Sequence, residues 1–212
     1  MMKLDCKYIK LTPEQRLYGV DVPVIGLTGG IATGKSEVSK KLKNLGIEVI
    51  CADELVKKIY ARNDAGDFVK TLLPDAIKNG QIDFAVLRRE FFSNTVIQNK
   101  IENFIYNLLP EEFYKTINQH PSSDFVVYDV PLLFEKNMEK LVDLVVCVYS
   151  PVETQIDRLL NRDNITEHLA REMIAKQMDI EEKKRRTDII IDNSNHLDEL
   201  DGKVEEFVSM II

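Results

Sequence analysis

The sequence predicts an α/β fold in which a five-stranded parallel sheet carries helices on both faces. Short apolar runs rich in Val and Ile recur along the chain, and longer stretches with helical spacing separate them. Because strands that alternate with helices usually pair in parallel, these runs are expected in one sheet. The predicted strands are Val22–Thr28, Ile47–Cys51, Phe125–Asp129, Leu144–Tyr149 and Asp188–Ile191.

The composition is that of an ordinary globular domain. Of 212 residues, 44% are hydrophobic and 30% charged, and the formal net charge is −7. This acidic balance disfavours a nucleic-acid partner, since such proteins usually present a basic face. No apolar run is long enough for a membrane span, and the N-terminus lacks the apolar region of a signal peptide. Three widely separated cysteines are typical of reduced thiols, so we expect a cytoplasmic protein, and a monomer.

Two long helical segments interrupt the alternation of strands and helices. Residues 64–119 show helical stretches broken by Pro74, Gly80 and Pro110 and no strand, which predicts a helical insertion. Residues 162–186 form a second, highly charged helical stretch. The predicted organisation is an N-terminal extension, 1–21, followed by one domain, 22–212, whose core comprises 22–63, 120–161 and 187–212.

A glycine-rich loop follows the first predicted strand. It reads G-G-I-A-T-G-K-S, a complete G-x-x-x-x-G-K-[ST] motif, and a helical pattern follows directly. Strand, loop and helix start together direct backbone N–H groups and a positive helix dipole at one anion. Lys35 is expected to reach the β- and γ-phosphates of a nucleoside triphosphate, and Ser36 to ligate Mg²⁺. The predicted nucleotide contacts are Gly29, Gly30, Ile31, Ala32, Thr33, Gly34, Lys35, Ser36 and Glu37.

Two carboxylates follow predicted strands at the sheet edge where α/β proteins bind ligands. Asp53 comes after the second strand and is either a base or metal ligand, or the N-cap of the next helix. Asp129 ends the third strand, a position typical of the acidic residue that holds Mg²⁺ in nucleotide-binding folds. The apolar residues that follow, Pro131, Leu132 and Leu133, either line a substrate pocket or belong to the core.

A pair of arginines lies on the helix predicted after the fourth strand. Arg158 and Arg162 are four residues apart and therefore share one face. Such a pair suits phosphate binding or stacking on a base, although exposed arginines at this spacing are also common. The histidines at 120, 168 and 196 have no metal-ligand partner at suitable spacing.

The chain resembles the dephospho-coenzyme A kinase family over residues 23–210. The D-V-P-L-L-F-E segment after the third strand is the most diagnostic, because other P-loop kinases do not usually carry it there. The matching segments are Ile25–Ser36, Leu45–Leu55, Tyr128–Glu135, Ser150–Asp163, Gln177 and Thr187–Asn193.

The resemblance implies a P-loop kinase fold with a helical acceptor-binding insertion at 64–119 and a helical lid at 162–186. It implies ATP and Mg²⁺ as cofactors and dephospho-CoA as the substrate, whose ribose 3′-hydroxyl receives the γ-phosphoryl group. Asp53 would then be the base, with Lys35 and Arg162 as the other catalytic residues. Arg158 and Asn193 would contact the nucleotide, and Pro131, Leu132 and Leu133 the acceptor. Closure of the lid would exclude water as a competing acceptor.

The resemblance weakens in the predicted insertion. Ile82-Asp83-Phe84 stands where the family has I-D-R, and Tyr106-Asn107 where it has H-P. Arg88 lies one helical turn beyond Phe84, so we expect its guanidinium to meet an anionic group of the substrate. Phe84 and Tyr106 offer stacking or apolar surface to the adenine or the pantetheine arm.

Two other functions remain compatible with the residues. The chain is either a kinase for another nucleotide-like acceptor or a nucleotide-binding regulatory protein without transferase activity. A GTPase switch would carry an N-K-x-D motif and a D-x-x-G after the third strand, and the sequence has neither. Asp53 and the two arginines favour catalysis.

Overall fold

The structure is a computed structural model and describes residues 2–119, 124–195 and 199–212. His120 and His196 therefore lie outside the described residues. The chain divides into two compact units, one formed by residues 1–51 with 120–212 and the other by residues 52–119. The second unit begins earlier than the insertion predicted at 64–119, because the helix starting at Ala52 packs against the long helix of that unit.

The elements follow the predicted alternation. Within the described residues the strands are β1 Val24–Gly29, β2 Val49–Cys51, β3 Ile77–Lys78, β4 Gln81–Ile82, β5 Val126–Asp129, β6 Leu144–Tyr149 and β7 Ile189–Asp192. The helices there are α1 Lys35–Asn44, α2 Ala52–Tyr60, α3 Asn63–Leu72, α4 Phe84–Ser93, α5 Thr95–Asn118, α6 Val152–Asp163, α7 Glu167–Ala175, α8 Ile180–Arg186 and α9 Leu200–Ile211.

The first unit is built on a parallel sheet of five strands within the described residues, in the order β2-β5-β1-β6-β7. All five predicted strands are present in it, with ends displaced by two residues or fewer. Side chains alternate across β6: Val146 and Val148 join the core formed with α1 and α9, whereas Cys147 and Tyr149 pack with Ile180 of α8. The predicted α/β fold with helices on both faces is confirmed.

The N-terminal extension folds as part of the first unit. The buried carboxylate of Asp143 accepts hydrogen bonds from Nε of Arg16 at 2.7 Å and from the backbone N–H groups of Lys10, Leu11 and Val24. Arg16 is only 6% exposed. The extension is thereby fixed to the start of β1, a role that its polar sequence did not indicate.

The second unit is helical but contains a short hairpin, so the prediction of no strand in 64–119 is wrong. β3 and β4 pair antiparallel across Asn79 and Gly80, which both have positive φ, of 51° and 77°. A two-residue Asn-Gly loop suits a tight hairpin because both residues tolerate this conformation. Helix α3 packs on α5 through Phe68 and Phe104, whose rings stack 4.1 Å apart.

Helix α5 is longer than the sequence predicts. It runs through Pro110, which was expected to break it, because Leu109 and Phe113 on either side are buried and hold the helix in place. Although α5 spans 24 residues, neither it nor any other described helix is long and apolar enough to cross a membrane.

Candidate active site

The glycine-rich loop connects β1 to the first turn of α1, as predicted. Its geometry depends on glycine: a Cβ on Gly29 would lie 2.7 Å from the carbonyl oxygen of Val148, and Gly34 has a φ of +92°. A Cβ on Gly34 would also collide with the side chain of Asn193. The glycines keep this turn tight, and the start of α1 presents backbone N–H groups that can bind an anion.

Two predicted site residues meet at the base of the loop. The Lys35 ammonium forms an ion pair with the carboxylate of Asp129, and Ser39 Oγ donates to the other carboxylate oxygen at 2.6 Å. Asp129 is 3% exposed, so its charge is compensated within the protein. The arrangement holds an ammonium group at the carboxyl end of the sheet. Ser36 and Glu37, next in α1, are exposed.

Arg158 supports the loop through hydrogen bonds from its guanidinium. Its guanidinium donates to the carbonyl oxygens of Asn193 at 2.8 Å and Ala32 at 3.3 Å, and to Ser150 Oγ at 3.0 Å. Partial burial lowers the pKa of Arg158, which nevertheless stays charged because the ordinary value is so high. The Asn193 side chain donates to the Thr33 carbonyl at 2.8 Å, so both predicted nucleotide contacts touch the loop.

Three further residues contact the loop or its neighbours: Lys183, which sequence reasoning missed, and Glu135 and Gln177, which match the family but were assigned no role. Lys183 of α8 is fully buried and donates to the Pro131 carbonyl at 2.8 Å and the Gly29 carbonyl at 3.4 Å. Glu135 pairs with this ammonium at 2.9 Å, and Gln177 Oε1 accepts from the Ile31 N–H at 2.8 Å. Lys183 lies in a run of charged residues, which is typical of an exposed helix. The one sequence signal for its burial is its spacing from the apolar Ile180, which places both side chains on the same face of the helix.

Two predicted site residues do not reach the loop in this structure. Arg162 is mostly exposed, and its guanidinium pairs with the neighbouring Asp163 at 2.8 Å. Leu133 is fully buried and packs against β1 at Gly26, as expected of a core residue. Leu132 is 37% exposed, and the Pro131 carbonyl accepts the hydrogen bonds of Lys183 and Thr28.

Asp53 and Arg88 belong to the second unit. Asp53 lies in the first turn of α2, which begins at Ala52, so it does not occupy the helix-cap position that was the alternative interpretation. Its exposed carboxylate forms no hydrogen bond or ion pair with the described part of the chain. Arg88 is also exposed, on α4, and its guanidinium likewise has no partner in residues 2–119, 124–195 and 199–212.

Comparison with known proteins gives the family. The family model described as dephospho-CoA kinase matches residues 23–199. The chain belongs to the dephospho-CoA kinase family. A dephospho-CoA kinase of Fusobacterium nucleatum is 35% identical to this chain over 194 residues, which cover 91% of the chain and 100% of that protein. One from Carboxydothermus hydrogenoformans is 37% identical over 84% of this chain and 88% of its own length.

Solved structures agree with this family membership. A Campylobacter jejuni dephospho-CoA kinase superposes with a TM-score of 0.65 at 26% identity, covering 88% of this chain and 95% of that one. A crystal structure of a Thermus thermophilus protein superposes with a TM-score of 0.80 at 26% identity, covering 90% and 98%. The chain is therefore a P-loop kinase over most of its length.

Proposed function

We propose that this chain transfers the γ-phosphoryl group of ATP to the ribose 3′-hydroxyl of dephospho-CoA, giving coenzyme A and ADP in the last step of coenzyme A biosynthesis. The observation that carries the proposal is the complete phosphate loop with Lys35 held at its base by Asp129, in a member of the dephospho-CoA kinase family. We further infer that it acts as a cytoplasmic monomer.

Lys35 provides the charge that stabilises the transferring group. Its ammonium is held on the buried carboxylate of Asp129 before the nucleotide arrives. The incoming triphosphate attracts the ammonium to its β- and γ-oxygens, where the negative charge of the transition state develops. The backbone N–H groups from Gly34 to Ser36 bind the same phosphates, and Arg158 and Asn193 hold the loop in place.

Oxygen ligands suited to Mg²⁺ lie beside the loop. Mg²⁺ prefers hydroxyl, carboxylate and phosphate oxygens and usually retains several waters. The exposed Ser36 hydroxyl would hold the ion directly, and Asp129 through water, because Lys35 and Ser39 already occupy its oxygens. When bound, Mg²⁺ neutralises charge on the phosphates.

Asp53 receives the proton of the acceptor. The 3′-oxygen forms a bond to the γ-phosphorus while the bond from that phosphorus to the β–γ bridging oxygen breaks, and ADP leaves. The hydroxyl proton passes to the Asp53 carboxylate, whose lack of hydrogen bonds and ion pairs among the described residues leaves it free to accept it. Arg88 and the helices of the second unit contact the acceptor.

A direct assay tests the proposed function. Purified protein is incubated with ATP and Mg²⁺ against dephospho-CoA and, separately, against the common nucleoside monophosphates. We expect the highest kcat/KM with dephospho-CoA and a product that carries the new phosphate on the ribose 3′ position. Efficient turnover of another nucleotide with none of dephospho-CoA would contradict the proposed substrate, and ATP binding without any transfer would indicate a regulatory protein.

A further inference from the structure

We propose that a cavity within the second unit receives the uncharged pantetheine arm of the acceptor; this inference rests on the proposed function. The cavity has a volume of about 880 Å³ and is lined by residues from the end of α2, from α3, from the β3–β4 hairpin and from the start of α4. Small-molecule sites typically measure about 300–1,000 Å³. The wall residues used below are Tyr60, Asn63, Gly66, Lys70, Gln81 and Phe84.

The charges on the wall disfavour the pyrophosphate of the acceptor. Arg62 borders the cavity, but its guanidinium is already held by three carboxylates at 2.9–3.2 Å. These belong to Asp64, Glu111 and Glu112. The remaining charged wall residues, Asp67 and Lys70, have opposite signs and cancel. A ligand group with two negative charges therefore finds no net positive charge here to offset the solvation free energy that it loses on burial. An uncharged group loses much less solvation free energy on entering the cavity.

The same wall matches an amide chain with apolar segments. Phe84 is 50% exposed and meets the Tyr60 ring edge-on, with centroids 5.4 Å apart. The Tyr60 hydroxyl has no hydrogen bond to any described residue, and burial raises its pKa, so it remains a proton donor at neutral pH. Asn63 and Gln81 add amide donors and acceptors. Pantetheine carries two amides, a hydroxyl and methyl groups, which these side chains complement.

Gly66 allows the cavity to be filled without disturbing the fold. It lies within α3 on the cavity wall, and a Cβ built there meets nothing within 4 Å. Gly66→Leu therefore places a side chain in open space and replaces a poor helix former with a good one. Gly202 of α9 offers a matched control, since it is also helical with open space around its Cβ but belongs to the other unit.

The test compares wild type, Gly66→Leu and Gly202→Leu. We expect Gly66→Leu to weaken the binding of dephospho-CoA and of free pantetheine by about tenfold or more in calorimetric titration, with KM for ATP unchanged. Gly202→Leu should behave as wild type in both titrations. Phe84→Ala should also weaken acceptor binding, whereas Phe92→Ala, on an exposed site of α4 outside the cavity wall, should not.

Unchanged dissociation constants for dephospho-CoA in a folded Gly66→Leu protein would overturn the cavity assignment. The proposed function fails in a different way: wild type would not phosphorylate dephospho-CoA at any concentration. If that protein still binds pantetheine and Gly66→Leu abolishes the binding, the cavity remains a pantetheine site although the kinase assignment is lost.

Discussion

At the scale of single residues, the site depends on charges that are compensated inside the protein. Lys35 and Asp129 were predicted separately, one for the triphosphate and one for Mg²⁺, and the structure pairs them. The pairing keeps a buried carboxylate satisfied before the nucleotide binds, and it holds the ammonium at the base of the loop. Asp53 has the opposite character, since its carboxylate is exposed and has no partner in the described part of the chain.

Lys35→Ala should nearly abolish phosphoryl transfer. Loss of an electrostatic group aimed at the transition state typically costs about 3–4 kcal/mol, or roughly 10²- to 10³-fold in kcat. Initial rates with saturating ATP and dephospho-CoA measure the effect. Lys40→Ala, on an exposed site of the same helix, serves as the control and should retain full activity. A folded Lys35→Ala enzyme with near-normal turnover would exclude the proposed role.

Asp53→Asn should lower turnover by roughly 10²- to 10⁴-fold while leaving KM for ATP unchanged, because the amide cannot accept the proton. Asp75→Asn, another exposed carboxylate of the second unit, should have no effect on kcat. The helix start tolerates either side chain, so the melting temperature should stay constant. Equal kcat values for Asp53→Asn and wild type would show that Asp53 is not the base.

At the scale of elements, α8 anchors the predicted lid region to the phosphate loop. Lys183 contacts the carbonyls of Gly29 and Pro131, and Tyr149 of β6 donates its hydroxyl to Glu181 at 2.5 Å. That hydrogen bond raises the pKa of Tyr149 to about 12. The last helix of the stretch 162–186 is therefore held to the sheet edge.

Lys183→Met should destabilise the protein by about 3–5 kcal/mol, because it leaves the Glu135 carboxylate without its cation. The double variant Lys183→Met with Glu135→Gln should recover much of this loss, since no unpaired charge remains. Lys184→Met provides the control: this neighbouring ammonium lies over the Tyr149 ring at 3.9 Å, a contact worth about 0.5–1 kcal/mol at exposed sites. Urea unfolding measures all three, and a Lys183→Met protein as stable as the control would contradict a buried ion pair.

At the scale of the whole molecule, contacts distant in sequence determine which segments belong to the folded core. Asp143 joins residues 10, 11 and 16 of the extension to Val24 at the start of β1. Leu4, Leu17 and Val20 are buried as well. The extension contributes to the stability of the first unit and is not a detachable tail.

Arg16→Met should lower the free energy of unfolding by about 3–5 kcal/mol, because Asp143 would remain buried without its cation. Lys7→Met, in an exposed ion pair of the same extension, should change the free energy of unfolding much less, because water and salt screen that pair. Both values come from denaturant unfolding at neutral pH. If the two substitutions had equal effects, the extension would not be clamped to β1 in solution.

The sequence by itself determined the α/β class, the five parallel strands, the phosphate loop and the family. These features are local. An apolar run of Val and Ile predicts a buried strand, and a glycine motif between a strand and a helix predicts a phosphate-binding loop, whatever the rest of the chain does. The Asn79-Gly80 hairpin is also encoded locally, since Asn-Gly is a strong hairpin signal, but its two strands are too short to show the alternation typical of a strand.

Only the tertiary structure decided which charged and apolar side chains are buried. Lys183 and Arg16 are charged residues of types that usually lie on the surface. Lys183 is buried because it pairs with Glu135, 48 residues away in sequence, and Arg16 because it pairs with Asp143, 127 residues away. Leu133 becomes a core residue because Gly26 leaves room for it on β1. Arg158 supports the loop because its guanidinium donates to the Ala32 carbonyl. Such partners meet through long-range packing, which no local pattern encodes.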